Sequence, residues 1–336
     1  MMTDLQTLLK HTSRSLYLSA RLLPVDVRDA FGTAYLLCRY ADTIADTSLL
    51  PAEKRLYWIS LFPKCVEEQN ASLFDAITQE ISSATTNIYE AQLLHHLSDC
   101  LQAYSRLPAA QQRAILQVVN AVCDGMKIDL QVFPDEKSGQ VGCFSAKQDL
   151  ENYCHLMGGA PGVFWSQLIA DALSLSSDAN TFLTLGKNIG DALQIVNILR
   201  DLPRDLRIGR CYFPQEDLTE HHLKAEDLLQ PENSPRFEPI KQKWIDWGRM
   251  KLKSAYAYFN MLPKKQPFHR AAVAWPVLWA ADTLNKLEQE KNLLDPALRV
   301  KISRCRIYGT MAATLPILLS NQLFSIWLKS KLSDGK

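Results

Sequence analysis

Four aspartates stand in two pairs at the spacing of one helical turn. Residues 35–46 read YLLCRYADTIAD, with Asp42 and Asp46 four apart, and residues 190–205 read GDALQIVNILRDLPRD, with Asp201 and Asp205 four apart. On a helix, Tyr35, Arg39, Asp42 and Asp46 share one stripe, and Gln194, Asn197, Asp201 and Asp205 share another. A solvated face with an Arg39–Asp42 ion pair is the ordinary explanation for one such pair. The neighbours argue otherwise, because Leu36, Leu37, Cys38, Ala41, Ile44 and Ala45 flank the first pair, and Ile195, Val196, Ile198 and Leu199 flank the second. Two carboxylate pairs on apolar helices suggest facing walls of a cavity. Buried together they repel and hold their protons unless a cation neutralises them. All-oxygen donors suit a hard ion such as Mg2+, held through carboxylates and substrate phosphates, so the implied chemistry is the handling of a diphosphate.

The elements that must position these residues are helices. Apolar residues recur at three- and four-residue steps near 3–20, 25–48, 52–68, 71–84, 88–106, 109–128, 147–173, 178–202, 236–262, 266–291 and 296–330. Leu23-Pro24, Leu107-Pro108 and Leu262-Pro263 punctuate them. Alternating strand patterns are almost absent. Residues 129–146 and 205–235 resist helix, and loops of that length tend to serve as lids or binding segments. No linker, charge block or repeat divides the chain, so one all-α domain over 1–336 is expected. Its last apolar stretch, 311–332, is interrupted by Pro316, Asn321 and Lys329, which favours a core-packing or membrane-surface helix over a span.

Bulk charge excludes some classes. Thirty-seven basic residues against 36 acidic ones give a net charge of +1, which offers no footprint for nucleic acid. Eight cysteines show neither CxxC pairing nor zinc spacing. With no leader-like stretch at the N-terminus, reduced thiols in a cytoplasmic protein are expected.

Taken together, several stretches resemble the squalene/phytoene synthase family, which joins two prenyl diphosphates head to head. HTSRSL (11–16) is similar to the family's N-terminal flap motif, and YLLCRYADTIAD carries its arginine and first aspartate pair. GMKIDL (125–130) and ENYCHLMGGAPG (151–162) are similar to its mid-chain segments. ALQIVNILRDLPRDLRIGRCYFP (192–214) resembles its second aspartate motif with the downstream Gly-Arg-x-Tyr-x-Pro. The resemblance implies a single helical bundle of the isoprenoid-synthase type around a central cavity. It implies that Asp42, Asp46, Asp201 and Asp205 hold Mg2+, with Asn197 supporting the cluster. Ser13, Arg14, Arg39, Gln194, Asn197 and Arg200 are implied on the substrate diphosphates. Tyr153 is implied in the proton loss that closes a cyclopropane; a core aromatic is the plain alternative there. Gly158, Gly159, Ala160 and Gly162 would let two helices, or a prenyl tail, approach closely.

Two departures stand out. The family's second motif ends Asp-x-x-Glu-Asp, whereas here it is Asp201-Leu202-Pro203-Arg204-Asp205. An anion becomes a cation, and Pro203 predicts a kink or break between the two aspartates, with Arg204 pairing to Asp201 or reaching a diphosphate. Leu16 replaces the phenylalanine of the flap. Among family members the flap, the first motif and RVKISR (299–304) are most similar to the squalene-forming branch. That branch implies farnesyl diphosphate as substrate and NADPH as reductant, contacted by Asn197, Arg200, Lys301 and Arg304. Phytoene or dehydrosqualene formation without NADPH, or arrest at presqualene diphosphate, are the alternative endings. A non-catalytic scaffold is the rival from another class, and it would be expected to lose the aspartates. A monomer with peripheral membrane contact completes the expectation.

Overall fold

The computed structural model describes residues 9, 22–46, 50–82, 96–136, 138–175, 178–314 and 316–332, and helices dominate them as the periodicity predicts. They group into two compact units: one from residues within 1–131 and 164–176, the other from residues within 132–163 and 177–336.

The first unit carries helices α1 (Val25–Asp46), α2 (Ala52–Glu68), α3 (Ala71–Ser82), α4 (Leu97–Ser105) and most of α5 (Ala109–Val132). The buried face of α1 is Leu36, Leu37, Tyr40, Ala41 and Ile44, so the apolar residues around Asp42 are core. Tyr40 stacks on Phe62 of α2 with centroids 5.3 Å apart and meets Phe74 of α3 edge-on. Its hydroxyl lies 2.8 Å from Thr78 Oγ1, which satisfies the one polar atom of a buried ring. Arg55 of α2 is buried and donates from Nη1 to the Ala45 carbonyl at 2.8 Å, capping the end of α1.

In the second unit, α6 (Lys147–Cys154) passes through a π-helical turn, His155–Gly159, into the start of α7 (Ala160–Leu173), whose residues from Phe164 on belong to the first unit. The sequence predicts one helix over 147–173; the structure inserts an extra residue's worth of turn where Gly158 and Gly159 sit. Helix α8 (Ala179–Asp205) packs against α10 (Ser234–Leu252), α11 (Ser254–Met261) and α12 (Pro267–Gln289). Between α8 and α10 lie a 3-10 turn (Leu206–Ile208), the short α9 (Gln215–Glu220) and two further 3-10 turns, so the segment predicted to resist helix is built from short pieces. Strands β1 (Gly142–Cys143) and β2 (Arg210–Cys211) pair in parallel, Cys143 opposite Cys211. Two residues per strand are too few for an alternating pattern to reveal.

Helices α13 (Arg304–Ala313) and α14 (Asn321–Leu332) end the described chain. The helix predicted over 296–330 is therefore broken, with a 3-10 turn at Ile317–Leu319 after Pro316. Asp282 of α12 ties both helices down, taking Arg306 at 2.8 Å and pairing with the buried Lys331. No helix among the described residues is long and apolar enough to cross a membrane.

Candidate active site

Helix α8 presents the clearest array of functional side chains. Its inner face is Ile195, Val196, Ile198, Leu199 and Leu202, all buried. Gln194, Asn197, Arg200, Asp201 and Asp205 are the partly exposed residues between them, as the predicted stripe requires. Asn197 Nδ2 donates to Gln194 Oε1 at 3.4 Å. Arg200 grips Asp201 with two bonds, Nε to Oδ1 at 2.9 Å and Nη2 to Oδ2 at 2.6 Å, a bidentate pair that fixes the carboxylate plane.

Asp205, one turn on, is the perturbed group. Burial and then the Asp201 charge push its carboxyl up to about 7, against a smaller downward pull from Arg210, Arg204 and Arg200. Arg210 lies on β2 and also faces Glu136 at 3.5 Å. Arg210 and Glu136 escaped the sequence reading: GRCYFP was visible as a motif, but no spacing linked its arginine to Asp205.

The predicted break at Pro203 does not occur. Helix α8 runs through Pro203 to Asp205, and the Leu206 amide donates to the Leu202 carbonyl across it. Pro203 lies in the last turn, so only the Leu199 carbonyl loses its i+4 donor. Asp201 and Asp205 thus keep one-turn spacing. Arg204 is exposed, and the partner of Asp201 is Arg200.

Three glycines seat α8. A Cβ on Gly158 would collide with the Gly190 carbonyl and come 2.7 Å from Gln194 Cβ, and one on Gly162 would strike the Gly186 carbonyl. The close approach expected for ENYCHLMGGAPG is present, made between the π turn with the start of α7 and α8. Beneath it Asp191, 1% exposed, holds Lys187 at 2.8 Å and Lys251 at 3.3 Å, a polar anchor that sequence reasoning missed. His155 lies 4.0 Å from the same carboxylate, and its proton affinity is lowered by burial and by Lys187.

Tyr153 is 3% exposed and sits in an aromatic cluster. Its ring stacks on Tyr212 at 4.9 Å and tilts against Phe144 at 5.6 Å, while Phe133 meets Tyr212 edge-on at 5.0 Å. Phe133 and Phe144 come from the segment predicted to be a lid or binding loop.

In the first unit, Arg39 pairs with Asp42 one turn along α1, both about one-third exposed, and Asp46, at the end of the helix, is exposed. Lys301 and Arg304 are exposed in the second unit. Ser13 and Arg14, with the flap motif, lie outside the described residues. Among the described residues no group of three or more His, Cys, Asp or Glu side chains is arranged to hold a metal alone.

The fold is that of the all-α isoprenoid synthases. TcSQS, solved in complex with a ligand, superimposes with a TM-score of 0.77 at 21% identity over 100% of this chain and 94% of its own. A squalene synthase from Alicyclobacillus acidocaldarius gives 0.59 at 16% identity over 85% and 92%. A squalene/phytoene synthase sequence profile matches residues 9–306, and the chain belongs to that family. It is 24% identical over 294 residues to a squalene synthase of Schizosaccharomyces pombe, covering 88% of this chain and 61% of that one. It is 30% identical over 232 residues to a presqualene diphosphate synthase of Zymomonas mobilis, covering 68% and 65%. The chain thus spans about three-fifths to two-thirds of the length of these two relatives.

Proposed function

We propose that this protein is a Mg2+-dependent prenyltransferase that joins two farnesyl diphosphates head to head into presqualene diphosphate and reduces it with NADPH to squalene. The observation that carries this reading is the end of α8. There a bidentate Arg200–Asp201 pair stands one turn from Asp205, a carboxylate that burial and Asp201 hold protonated to about 7. Such a carboxylate fits a hard cation, since a divalent ion supplies the charge the site lacks. The small donor set also fits Mg2+, which keeps waters and phosphate oxygens among its ligands. Asp201 and Asp205, supported by Asn197, would hold the ion on α8, and Asp42 and Asp46 would do so on α1. Bound there, Mg2+ would neutralise the diphosphate and ease its departure.

The residues themselves bind and orient. Arg39 and Arg200, each paired with an aspartate, would turn to phosphate oxygens, which they recognise in bidentate fashion. Arg14 and Ser13 would close over the same group, and Gln194 would line it. Tyr153, buried among aromatic rings, would present its oxygen to the cationic intermediate near the proton that is lost. Lys301 and Arg304, with Asn197 and Arg200, would contact NADPH. The exposed Leu319, Leu323 and Ile326 suit a membrane surface, into which an apolar product would leave a cytoplasmic monomer.

The 30% identity to a presqualene diphosphate synthase supports a second reading, in which the reaction stops before reduction, and an equal identity to a bifunctional lycopene cyclase/phytoene synthase supports the carotenoid-type ending. Incubation with farnesyl diphosphate and Mg2+, with and without NADPH, separates the endings. Squalene formed only with NADPH supports the proposal. Presqualene diphosphate accumulating despite NADPH supports the second reading, and dehydrosqualene regardless of NADPH, or turnover of geranylgeranyl diphosphate alone, selects a carotenoid-type synthase. No prenyl product from either substrate removes the prenyltransferase reading altogether.

A further inference from the structure

Tyr212 belongs to the Gly-Arg-x-Tyr-x-Pro stretch, yet the chemistry above gives it no task. Its position is unusually well determined. The β1–β2 ladder sets Cys143 opposite Cys211, and the residues that directly follow the strands, Phe144 and Tyr212, lie side by side with centroids 5.9 Å apart. The Gly142 amide donates to the Gly209 carbonyl at 2.9 Å, and the Gln215 amide to the Phe144 carbonyl at 2.7 Å, which fastens both ends of the pair. Glycine is required at both flanks. A Cβ on Gly142 would come 2.8 Å from Pro134 Cδ and the Val132 carbonyl, and Gly209 has φ +80°.

This frame clamps Tyr153. Tyr212 covers the face of its ring at an interplanar angle of 29°, and Phe144 tilts against it at 51°. Rings packed this way cannot translate or flip freely, so the remaining freedom of the phenol is rotation of its O–H about the C–O bond. Tyr212 acts on that freedom: the Tyr153 hydroxyl donates to Tyr212 Oη at 3.4 Å. The contact is long for an O–H···O bond, as hydrogen bonds in ligand-free active sites often are before substrate tightens them.

We propose that Tyr212 is a positioning residue that takes the hydroxyl hydrogen of Tyr153, so that the Tyr153 oxygen turns its lone pairs outward to an electron-poor substrate carbon. The inference rests on the proposed role of Tyr153 and adds the partner that orients it. A phenol that donates one hydrogen bond is a better acceptor through its oxygen, because the bonds polarise one another.

The test uses the full chain with farnesyl diphosphate and Mg2+. Tyr212→Phe keeps the stacked ring and removes only the acceptor. It is expected to lower kcat about tenfold, the size of one ordinary hydrogen bond, with KM unchanged. The double variant Tyr153→Phe/Tyr212→Phe should be no slower than Tyr153→Phe alone, since the second change then has nothing to orient. Losses that multiply, or an unchanged kcat in Tyr212→Phe beside a slow Tyr153→Phe, would overturn the proposal. A second readout does not depend on activity. In protein labelled with 13C at tyrosine Cζ, the Tyr153 resonance should move in Tyr212→Phe and the Tyr212 resonance in Tyr153→Phe. If neither moves, the pair does not exist. If both move while Tyr153→Phe retains full turnover, the role of Tyr153 is wrong and the pairing stands; should Tyr212→Phe fold poorly, the Tyr153→Phe spectrum decides alone.

Discussion

Helices α1 and α8 end alike and behave differently. Each has an aspartate as its last residue, Asp46 and Asp205, and each places an Arg–Asp pair about one turn earlier, Arg39–Asp42 and Arg200–Asp201. Helix C-termini carry the negative end of the backbone dipole, where a carboxylate is disfavoured by about 0.3–1 kcal/mol. Selection for stability alone would place cations there, and α1 has no basic residue in its last turn. Helix α8 does carry one, Arg204, beside its terminal aspartate. The surroundings part them. Asp46 meets water, whereas Asp205 is half-buried and its carboxyl is pushed up to about 7. Asp42 of α1 is held by Arg39, whereas the Asp205 proton of α8 is held by burial and by the Asp201 charge.

The sharpest way to break this comparison is to remove each terminal charge. Asp205→Asn and Asp201→Asn are expected to lower turnover at least about hundredfold, the range for loss of one electrostatic group at a reacting charge. Asp42→Asn should do likewise if α1 shares the diphosphate. The distinguishing measurement is thermal stability without Mg2+. Asp205→Asn should raise Tm, because an amide bears no buried charge, and should raise it more than Asp46→Asn at the exposed end of α1. A retained turnover in both Asp42→Asn and Asp201→Asn would end the metal argument.

A pH titration sharpens the same contrast. The folded protein holds the Asp205 proton up to about 7, whereas the unfolded chain releases it near the ordinary value of 3.8. Between those limits the folded state binds more protons, so the contribution of Asp205 to metal-free stability is greatest at the acid end and declines as pH rises towards 7. Metal binding runs the other way, since the ion needs the carboxylate. Mg2+ affinity measured calorimetrically should therefore rise about fivefold from pH 6 to pH 7, about twofold more by pH 8, and level off above, with proton release on binding. In Asp205→Asn this slope should vanish. A slope that survives the substitution would assign it to another group.

Packing provides a moderate test. Gly190→Ala would set a methyl group against the Gly158 carbonyl, with Gly159 Cα 3.0 Å away. Neither neighbour is a flexible side chain, so α8 must shift, at a cost of about 1–3 kcal/mol. For a chain of this size that lowers Tm by a few degrees per kcal/mol. Turnover should fall through displacement of Gln194 and Asn197, one and two turns along. A Tm equal to wild type would show that the approach of α8 to the π turn is loose.

Much of this was legible before any coordinates. The helices were, because long amphipathic segments impose a 3.6-residue period on sequence. The acid stripes were as well, because charge among Leu36, Ile44, Ile195 and Leu199 needs a reason. The π turn was not, since its register is set by where Gly158 and Gly190 meet, and that is a tertiary fact. Tyr212 and Phe144 stayed hidden because a ladder of two residues leaves no periodic trace. Pro203 misled for a simpler reason: proline is costly where a helix must continue, and α8 needs only two residues more. The flap around Arg14 lies outside the described residues, so its role rests on resemblance alone.

The smallest expected effect belongs to the residue that departs most from the family. Arg204 is exposed, and Asp201 already has Arg200, so Arg204 forms no part of the bidentate pair. Its reach is through space: it is among the cations that pull the Asp205 carboxyl down. Arg204→Glu restores the family's acid and reverses that pull. Fold and turnover at pH 8 with saturating Mg2+ should change less than twofold, because an exposed charge is screened by solvent and salt. At limiting Mg2+ the acid limb of the activity profile should move upward in pH, since the added anion holds the Asp205 proton longer. High salt should erase that displacement. A large loss of turnover at saturating Mg2+ would instead place Arg204 on the diphosphate, and DLPRD would then be a substitution of one phosphate-binding solution for another.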